Sequence, residues 1–489
     1  MRRKGRRRKA AREVSRGRSS RGTSDEGPNG REGETPVSLE DGRHPKSRGP
    51  RKGETRAKPR VDEPPSAASG NERSGTDPLM EEVVEAGNVL QALKRVEQNQ
   101  GSPGIDGMRV EELRPYLRRH WREIRRALLA GTYQPQPVKR QQIPKRGGGV
   151  RDLGIPTVLD RFIQQAILQV LQPRFDPTFS EHSYGYRPGR RAHDAVIAAQ
   201  RFVEAGKPWV VDVDLAKFFD RVHHDVLMGR LAKRIEDKTL LRLIRRYLEA
   251  GVMTGGVVIE RYEGTPQGGP LSPLLANVLL DEVDQELERR GLSFCRYADD
   301  ANVYVASKRA GERVMASLRK LYAKLRLRIN EDKSAVAPVE ERQFLGFTFV
   351  RTRGGKVKRR IADKALAAMK DRVREVTGRN GGRSLSSIVG DLRRFLVGWI
   401  GYFRITEVRS PLHELDSWTR RRLRVVQLKQ WRCGRTVFAH LRARGVERPI
   451  AALIASRSRR YWWVSHQRYI FVALPDQLFD ALGVPRLAG

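Results

Sequence analysis

Four aspartates stand at two places where short apolar strands are legible. Trp209-Val210-Val211-Asp212-Val213-Asp214 alternates, with Val211 and Val213 on one face and Asp212 and Asp214 on the other. It runs into Leu215-Ala216-Lys217-Phe218-Phe219-Asp220, so an acid stands at the strand's end. Tyr297-Ala298-Asp299-Asp300 puts two more acids in a tight turn, inside a hairpin expected over 294–306. Carboxylates drawn together repel, and such a cluster persists only with a compensating cation. Oxygen ligands in this number suit Mg²⁺, which keeps part of its water and takes substrate phosphates. Two such ions about 3.5–4 Å apart would favour attack by a 3′ hydroxyl and departure of pyrophosphate. An Asp-Asp pair alone is a common turn. What singles this one out is the acidic strand upstream in a chain of formal charge +39.

That charge points to a polyanionic partner, by default nucleic acid. No apolar run approaches the ~20 residues of a membrane-spanning helix, and the basic N-terminus is followed by no apolar stretch of the secretory kind. Cys295 and Cys433 alone cannot make a disulfide framework or a four-cysteine zinc site. The expectation is a reducing, cytoplasmic setting with no membrane contact.

The charge is uneven. Residues 1–77 hold 21 basic and 12 acidic residues and no aromatic, the first being Tyr116. A segment this poor in apolar surface is expected to be a disordered basic tail, with Met80 a plausible alternative start. Residues 351–489 hold 31 basic against 10 acidic residues and five of the seven tryptophans. Cations interleaved with aromatics suit phosphate neutralisation and base stacking. Chemistry is therefore expected in the middle of the chain and binding surface at its end.

The elements that must position the aspartates read as α/β. Apolar spacing predicts helices over 78–98, 111–129 and 159–171, the last stopping at Pro173. A loop is expected at 101–107 and strands at 209–214 and 342–350. Three apolar faces predict a three-helix unit over about 361–432: Leu366, Met369, Val373 and Val376; then Ile388, Leu392, Phe395, Leu396 and Trp399; then Leu412, Leu415 and Trp418.

Ordered blocks around these carboxylates resemble the group II intron-encoded reverse transcriptase/maturase family. They are the loop 101–107, then Ile143-Pro144-Lys145 through Asp160-Arg161, then Ser183-Tyr184-Gly185-Tyr186-Arg187-Pro188, then 214–220. Gly264-Thr265-Pro266-Gln267-Gly268-Gly269-Pro270, Asn330-Glu331-Asp332-Lys333 and Phe344-Leu345-Gly346-Phe347 complete the series. The resemblance spans about 85–450. It implies an α/β right-hand polymerase of fingers and palm (78–350), an all-α thumb/maturase domain (351–432) and a basic, aromatic appendage (433–489) suited to DNA. The 57 residues past 432 lack the paired cysteines of the family's endonuclease, so the expected form lacks that domain.

The resemblance also assigns roles. Asp214, Asp299 and Asp300 match the catalytic metal ligands, for two Mg²⁺ ions, and Asp212 matches none. Lys145 and Arg151 match the cations that clamp the incoming deoxynucleoside triphosphate. Phe219 matches a ring that would clash with a ribose 2′-OH, unless it simply packs with Phe218. Gln267 falls at the nucleotide site, in a glycine-rich loop that would admit close backbone approach. Lys333 is placed to protonate pyrophosphate, or is one more exposed lysine. Arg393, Arg394, Arg420, Arg421, Arg422 and Arg424 are expected on the face that grips intron RNA, with Trp399 in the core. The function implied is an RNA-directed DNA polymerase that binds its host intron RNA, promotes splicing and supports mobility. Its partners would be the intron RNA, an RNA template with a DNA primer, and target DNA. The other readings are a free-standing polymerase of the same fold in phage defence or DNA repair, and a non-catalytic splicing factor, which the retained aspartates disfavour.

Overall fold

The computed structural model describes residues 79–144, 149–254, 257–259, 262–379 and 381–489. The expected tail, and Lys145, lie outside the described residues.

Helices α1 (Leu79–Val83), α2 (Ala86–Asn99) and α3 (Val110–Leu129) precede a hairpin of β1 (Val138–Pro144) and β2 (Val150–Ile155). The helix expected over 78–98 is broken because Glu85 turns extended and caps α2, accepting from the backbone N–H groups of Gly87 and Asn88. Then come α4 (Val158–Phe175), α5 (Ala192–Glu204), β3 (Trp209–Val213), α6 (His224–Leu231) and α7 (Lys238–Glu249). Helix α4 runs through Pro173 rather than stopping there. Strands β4 (Val252–Thr254) and β5 (Val257–Ile259) join the first hairpin in a sheet of order β2-β1-β4-β5, with β4 parallel to β1. Helix α8 (Ser272–Arg289), strands β6 (Ser293–Tyr297) and β7 (Asp300–Val305), helix α9 (Lys308–Lys324) and strand β8 (Ala335–Pro338) follow.

A second sheet, β6-β7-β3-β8, is antiparallel throughout and sits between two cores. Val211, Val213, Phe294, Ala301 and Val303 pack on one side with α8 and α9. Val210, Cys295 and Tyr304 pack on the other, with α5 and the C-terminal helices. Period-2 alternation thus buries both faces of β3 in different cores.

The strand expected over 342–350 starts late. Leu345 (φ +51°) and Gly346 (φ +81°) turn the chain first, and β9 (Phe347–Arg351) pairs with β10 (Val357–Ile361). A Cβ on Gly346 would meet the Phe403 ring at 3.2 Å. The expected boundary at 350/351 therefore falls inside a hairpin that belongs to the second core.

Helices α10 (Asp363–Val376), α11 (Leu385–Phe403) and α12 (Ser410–Gln430) realise the three-helix unit. Five short helices follow: α13 (Gly434–Ala443), α14 (Arg448–Ser456), α15 (Tyr461–Val464), α16 (Arg468–Ala473) and α17 (Asp476–Ala481). They are no separate appendage. Val437, Ile470, Phe479 and Leu487 share one core with Leu412, Leu415 and Leu423. No helix among the described residues is long and apolar enough to cross a membrane.

Candidate active site

Strand β3 pairs with β7 so that Asp212 faces Asn302 and Val213 faces Ala301. One further step brings Asp214 level with Asp300. Tyr297 pairs with Asp300 across the hairpin, leaving Ala298-Asp299 as a two-residue turn. Ala298 is left-handed at φ +60°, where glycine is usual, so the surroundings must hold this turn. Gly185 does part of that: a Cβ there would come within 2.2 Å of the Ala298 nitrogen.

The other side of Asp214 is fastened by the segment before β8. Its N–H donates to Ser334 Oγ at 3.0 Å, and its carbonyl accepts from Asn330 N–H at 2.8 Å. Lys333 Nζ lies 3.2 Å from Asp214 Oδ2. Asp212 is engaged elsewhere: Arg342 Nε donates to its Oδ2 at 2.8 Å, and Arg342 Nη2 also donates to the Lys333 carbonyl. Asp212 thus sits behind the cluster, anchoring the segment that carries Lys333.

The electrostatics match crowded carboxylates. Withdrawal from water pushes the Asp300 carboxyl up, with Asp299, Asp214 and Asp212 adding to it, to about 7. Burial and then Asp214 push Asp299 up, while Arg151 and Lys333 pull it down. No group of three His, Cys, Asp or Glu among the described residues forms a ready metal cage. The donor set nonetheless fits a divalent cation: Asp214, Asp299 and Asp300 crowd together with one lysine beside them, and burial with mutual repulsion pushes Asp299 and Asp300 up.

Arg151 is exposed on β2, opposite Ile143, and its charge reaches both Asp299 and Tyr186. Phe219 is half-buried, its ring edge-on to Phe218 at 5.1 Å, while Phe218 is fully in the core. Its carbonyl accepts from Thr265 N–H at 2.7 Å, tying it to the glycine-rich loop. The Gln267 carbonyl accepts from Gly154 N–H at 3.0 Å, which places this loop on the hairpin carrying Arg151. The glycines of the loop make room for the chain itself. A Cβ on Gly268 would meet the Gly154 carbonyl at 2.8 Å, one on Gly269 Gln164 Oε1 at 2.4 Å, and one on Gly264 the Asp220 carbonyl at 3.0 Å.

The arginines expected to contact RNA divide. Arg393 and Arg394 are exposed, the latter ion-paired with Asp391. Arg421 lies 3.9 Å over the Trp462 ring. Arg422 donates to Thr377 Oγ1 and lines a cleft of about 430 Å³ with Gly378, Arg379, Lys429 and Tyr461. Arg420 and Arg424 are the correction: both are completely buried. Arg420 bridges Asp416 and Asp480, and Arg424 pairs with Asp476 while donating to the Leu474 carbonyl at 2.8 Å. They fasten α12 to the last helices, which supply the aspartates that make burial tolerable.

Sequence reading passed over Arg379 and Lys429, which three consecutive arginines overshadowed, and took Tyr461 for part of the aromatic appendage rather than of this cleft. It also missed Arg342, whose partner Asp212 lies far away in the chain.

The family described as reverse transcriptase (RNA-dependent DNA polymerase) matches residues 143–349, and the group II intron, maturase-specific domain matches 366–445. The second match runs past 432, so α13 belongs with the helices before it. The chain is 34% identical over 292 residues to Protein YkfC of Escherichia coli (strain K12), covering 52% of this chain and 77% of that one. It is 39% identical over 176 residues to Group II intron-encoded protein LtrA of Lactococcus lactis subsp. cremoris, covering 36% of this chain and 29% of the relative. The chain thus spans under a third of LtrA. Among solved structures, a partial Cas6-RT-Cas1–Cas2 complex matches at TM-score 0.33 and 26% identity, over 52% of this chain and 43% of that one.

Proposed function

The chain belongs to the group II intron reverse transcriptase family, joining a reverse transcriptase domain to a maturase-specific domain, and from that premise we propose that it copies intron RNA into DNA and helps the same RNA to splice and move. The observation that carries the first half is the meeting of Asp214, just past β3, with Asp299 and Asp300 at the start of the adjacent β7, where burial first and then the neighbouring carboxylates raise the Asp300 carboxyl to about 7.

Asp214, Asp299 and Asp300 would hold two Mg²⁺ ions. When bound, these supply charge that favours the attacking 3′ oxygen and the departing pyrophosphate. The remaining work falls to the chain. Arg151, with Lys145, steadies the triphosphate of a deoxynucleotide. The Phe219 ring occupies the volume a 2′-OH would need. Gln267 orients the nucleotide from a loop fixed to both the hairpin and Phe219. Lys333, which pairs with Asp214, is the ammonium nearest the departing pyrophosphate and would give it a proton.

The RNA grip belongs to the helical part as one body from Asp363 onward, together with its last five helices. Arg379, Arg422, Lys429 and Tyr461 form a concave cationic surface there. Burial, Arg379 and Arg374 all pull the Arg422 guanidinium down, so a phosphate entering there would relieve like-charge crowding. Arg393, Arg394 and Arg421 extend the surface. The partners are intron RNA, an RNA template with a DNA primer, and target DNA, in a bacterial cytoplasm.

One experiment tests both halves. Asp299→Ala should abolish primer extension on an RNA template with Mg²⁺ while intron binding and splicing support persist at low salt. Loss of splicing in a folded Asp299→Ala protein would defeat the separation of roles.

A further inference from the structure

Arg296, like Arg420 and Arg424, is a fully buried arginine, and it reaches the turn that carries Asp299 and Asp300 through the Ala298 carbonyl. All five of its N–H donors are used. Nε donates to Asp284 at 2.9 Å, and Nη2 donates to Asp284 Oδ2 at 2.5 Å and to Ser183 Oγ at 2.7 Å. Nη1 donates to Asn277 Oδ1 and to the Ala298 carbonyl, both at 2.9 Å. Asn277 then donates from Nδ2 to the Gly185 carbonyl at 2.9 Å. Ser183, Asn277 and Asp284 are as buried as Arg296.

This closed network joins three parts of the chain that are far apart in sequence. Asn277 and Asp284 come from α8, Ser183 and Gly185 from the loop before α5, and Arg296 from β6. Arg296 itself holds the catalytic turn by the carbonyl of Ala298, the left-handed residue just before Asp299. The backbone adds a second clasp: Arg296 N–H donates to the His182 carbonyl, and Tyr184 N–H donates to the Arg296 carbonyl.

A buried ion pair is a poor way to gain stability, since apolar residues of the same volume do as well or better. What the pair provides here is direction. The fork of a guanidinium fixes several acceptors at once, as an ammonium cannot. A strained turn keeps its shape only where its surroundings over-determine it. Ligands of a metal must also be held to within about 0.5 Å by residues behind them.

We propose that Arg296, oriented by Asp284, Asn277 and Ser183, is a positioning residue that holds the Ala298 carbonyl and so sets Asp299 and Asp300 against Asp214 at the spacing a divalent cation needs. The proposal rests on the reading of those three aspartates as metal ligands.

The test measures Mn²⁺ binding to the full chain by electron paramagnetic resonance of the free ion, beside steady-state extension and thermal unfolding. The double variant Arg296→Met with Asp284→Leu removes both charges together and keeps the core filled. It should unfold near the wild-type temperature and bind primer–template normally. Its Mn²⁺ affinity should fall about tenfold, as for other groups that orient metal ligands. The rate at saturating nucleotide should fall with it, while the KM for nucleotide stays near wild type. Arg296→Lys should recover only part of the affinity. Should the double variant fail to fold, Asn277→Ala cuts the links to Arg296 and Gly185 while leaving the ion pair, and decides the matter alone. Folded variants with wild-type Mn²⁺ binding would overturn the proposal. Asp299→Asn separates the two readings: if it loses Mn²⁺ while the network variants do not, positioning fails and ligation stands. If Asp299→Asn itself binds Mn²⁺ normally, the ligand assignment fails.

Discussion

Lys333 holds Asp214 with its ammonium, 3.2 Å from Oδ2, on a carboxylate proposed above as a metal ligand. The lysine side chain is largely exposed, so the pair stabilises by no more than about 1 kcal/mol. A divalent cation taken up by Asp214 would compete with it. Lys333→Ala should therefore lower the Mg²⁺ concentration for half-maximal rate by less than about fivefold, in line with so weak a competitor. The maximal rate should fall, because the proton donor to pyrophosphate is gone. Mg²⁺ titration of primer extension separates the two effects. A higher Mg²⁺ requirement in the variant would mean the lysine assists the ion rather than competing with it.

The raised Asp300 carboxyl gives the metal requirement a pH dependence of definite sign. Without cations the folded protein keeps this proton up to about pH 7, against 3.8 for an ordinary aspartate. The group's contribution to stability is complete below about pH 4 and is lost as pH rises through 7. A cation must displace the proton below pH 7 and finds the carboxylate bare above it. Half-saturating Mg²⁺ should rise as pH falls from 8 to 6, with proton release on binding at the lower pH. Asp300→Asn removes the titrating group. In the absence of divalent ions it should unfold at a higher temperature than wild type at pH 8, with the gap closing toward pH 4. A gap that widens on acidification would reverse the sign and refute the assignment.

Phe219 is half-buried beside Phe218, and its backbone is tied to Thr265. Phe219→Val should leave the fold intact, since Phe218 carries the packing in the core. It should raise ribonucleotide incorporation relative to deoxynucleotide by at least about tenfold, the equivalent of 1.4 kcal/mol of lost exclusion. Single-turnover kinetics with each nucleotide measure this directly. Unchanged discrimination would leave Phe219 a packing residue.

The aspartates were legible because both signals are local. An acid at the end of an alternating strand and a pair in a two-residue turn need no knowledge of distant chain. The three helices of 363–430 were legible for the same reason: their apolar faces repeat at helical spacing over many turns. What stayed hidden depends on partners far away. Nothing near Arg420 or Arg424 tells that Asp480 and Asp476 will cover them, so a run of arginines reads as surface. Nothing near Gly268 tells that Gly154 will press against it. The 350/351 boundary failed because a left-handed Leu345, invisible as a residue type, delays β9 and moves the hairpin into the helical part.

The divided arginines yield the sharpest contrast. Arg420 is wholly buried between Asp416 and Asp480, and Asp416 also accepts the N–H groups of Leu487 and Ala488. Arg420→Ala leaves Asp416 in that core with backbone donors alone, while Asp480 keeps Arg486, and should cost about 3 kcal/mol of stability. It should lower the unfolding temperature and loosen the C-terminal helices to proteolysis. Arg379 and Arg422 stand in an open cleft with Lys429 and Tyr461. Exchanging both for Ala should change the unfolding temperature little and weaken intron RNA binding instead. For every phosphate that the variant no longer neutralises, the slope of log K against log salt should flatten by about 0.7–0.9. Primer extension on an unstructured template should change less than intron binding. The pair of measurements, unfolding temperature and salt slope, should sort the two sites in opposite ways. An Arg420→Ala protein of wild-type stability, or an unaltered salt slope in the Arg379/Arg422 variant, would show that burial does not divide these arginines by role.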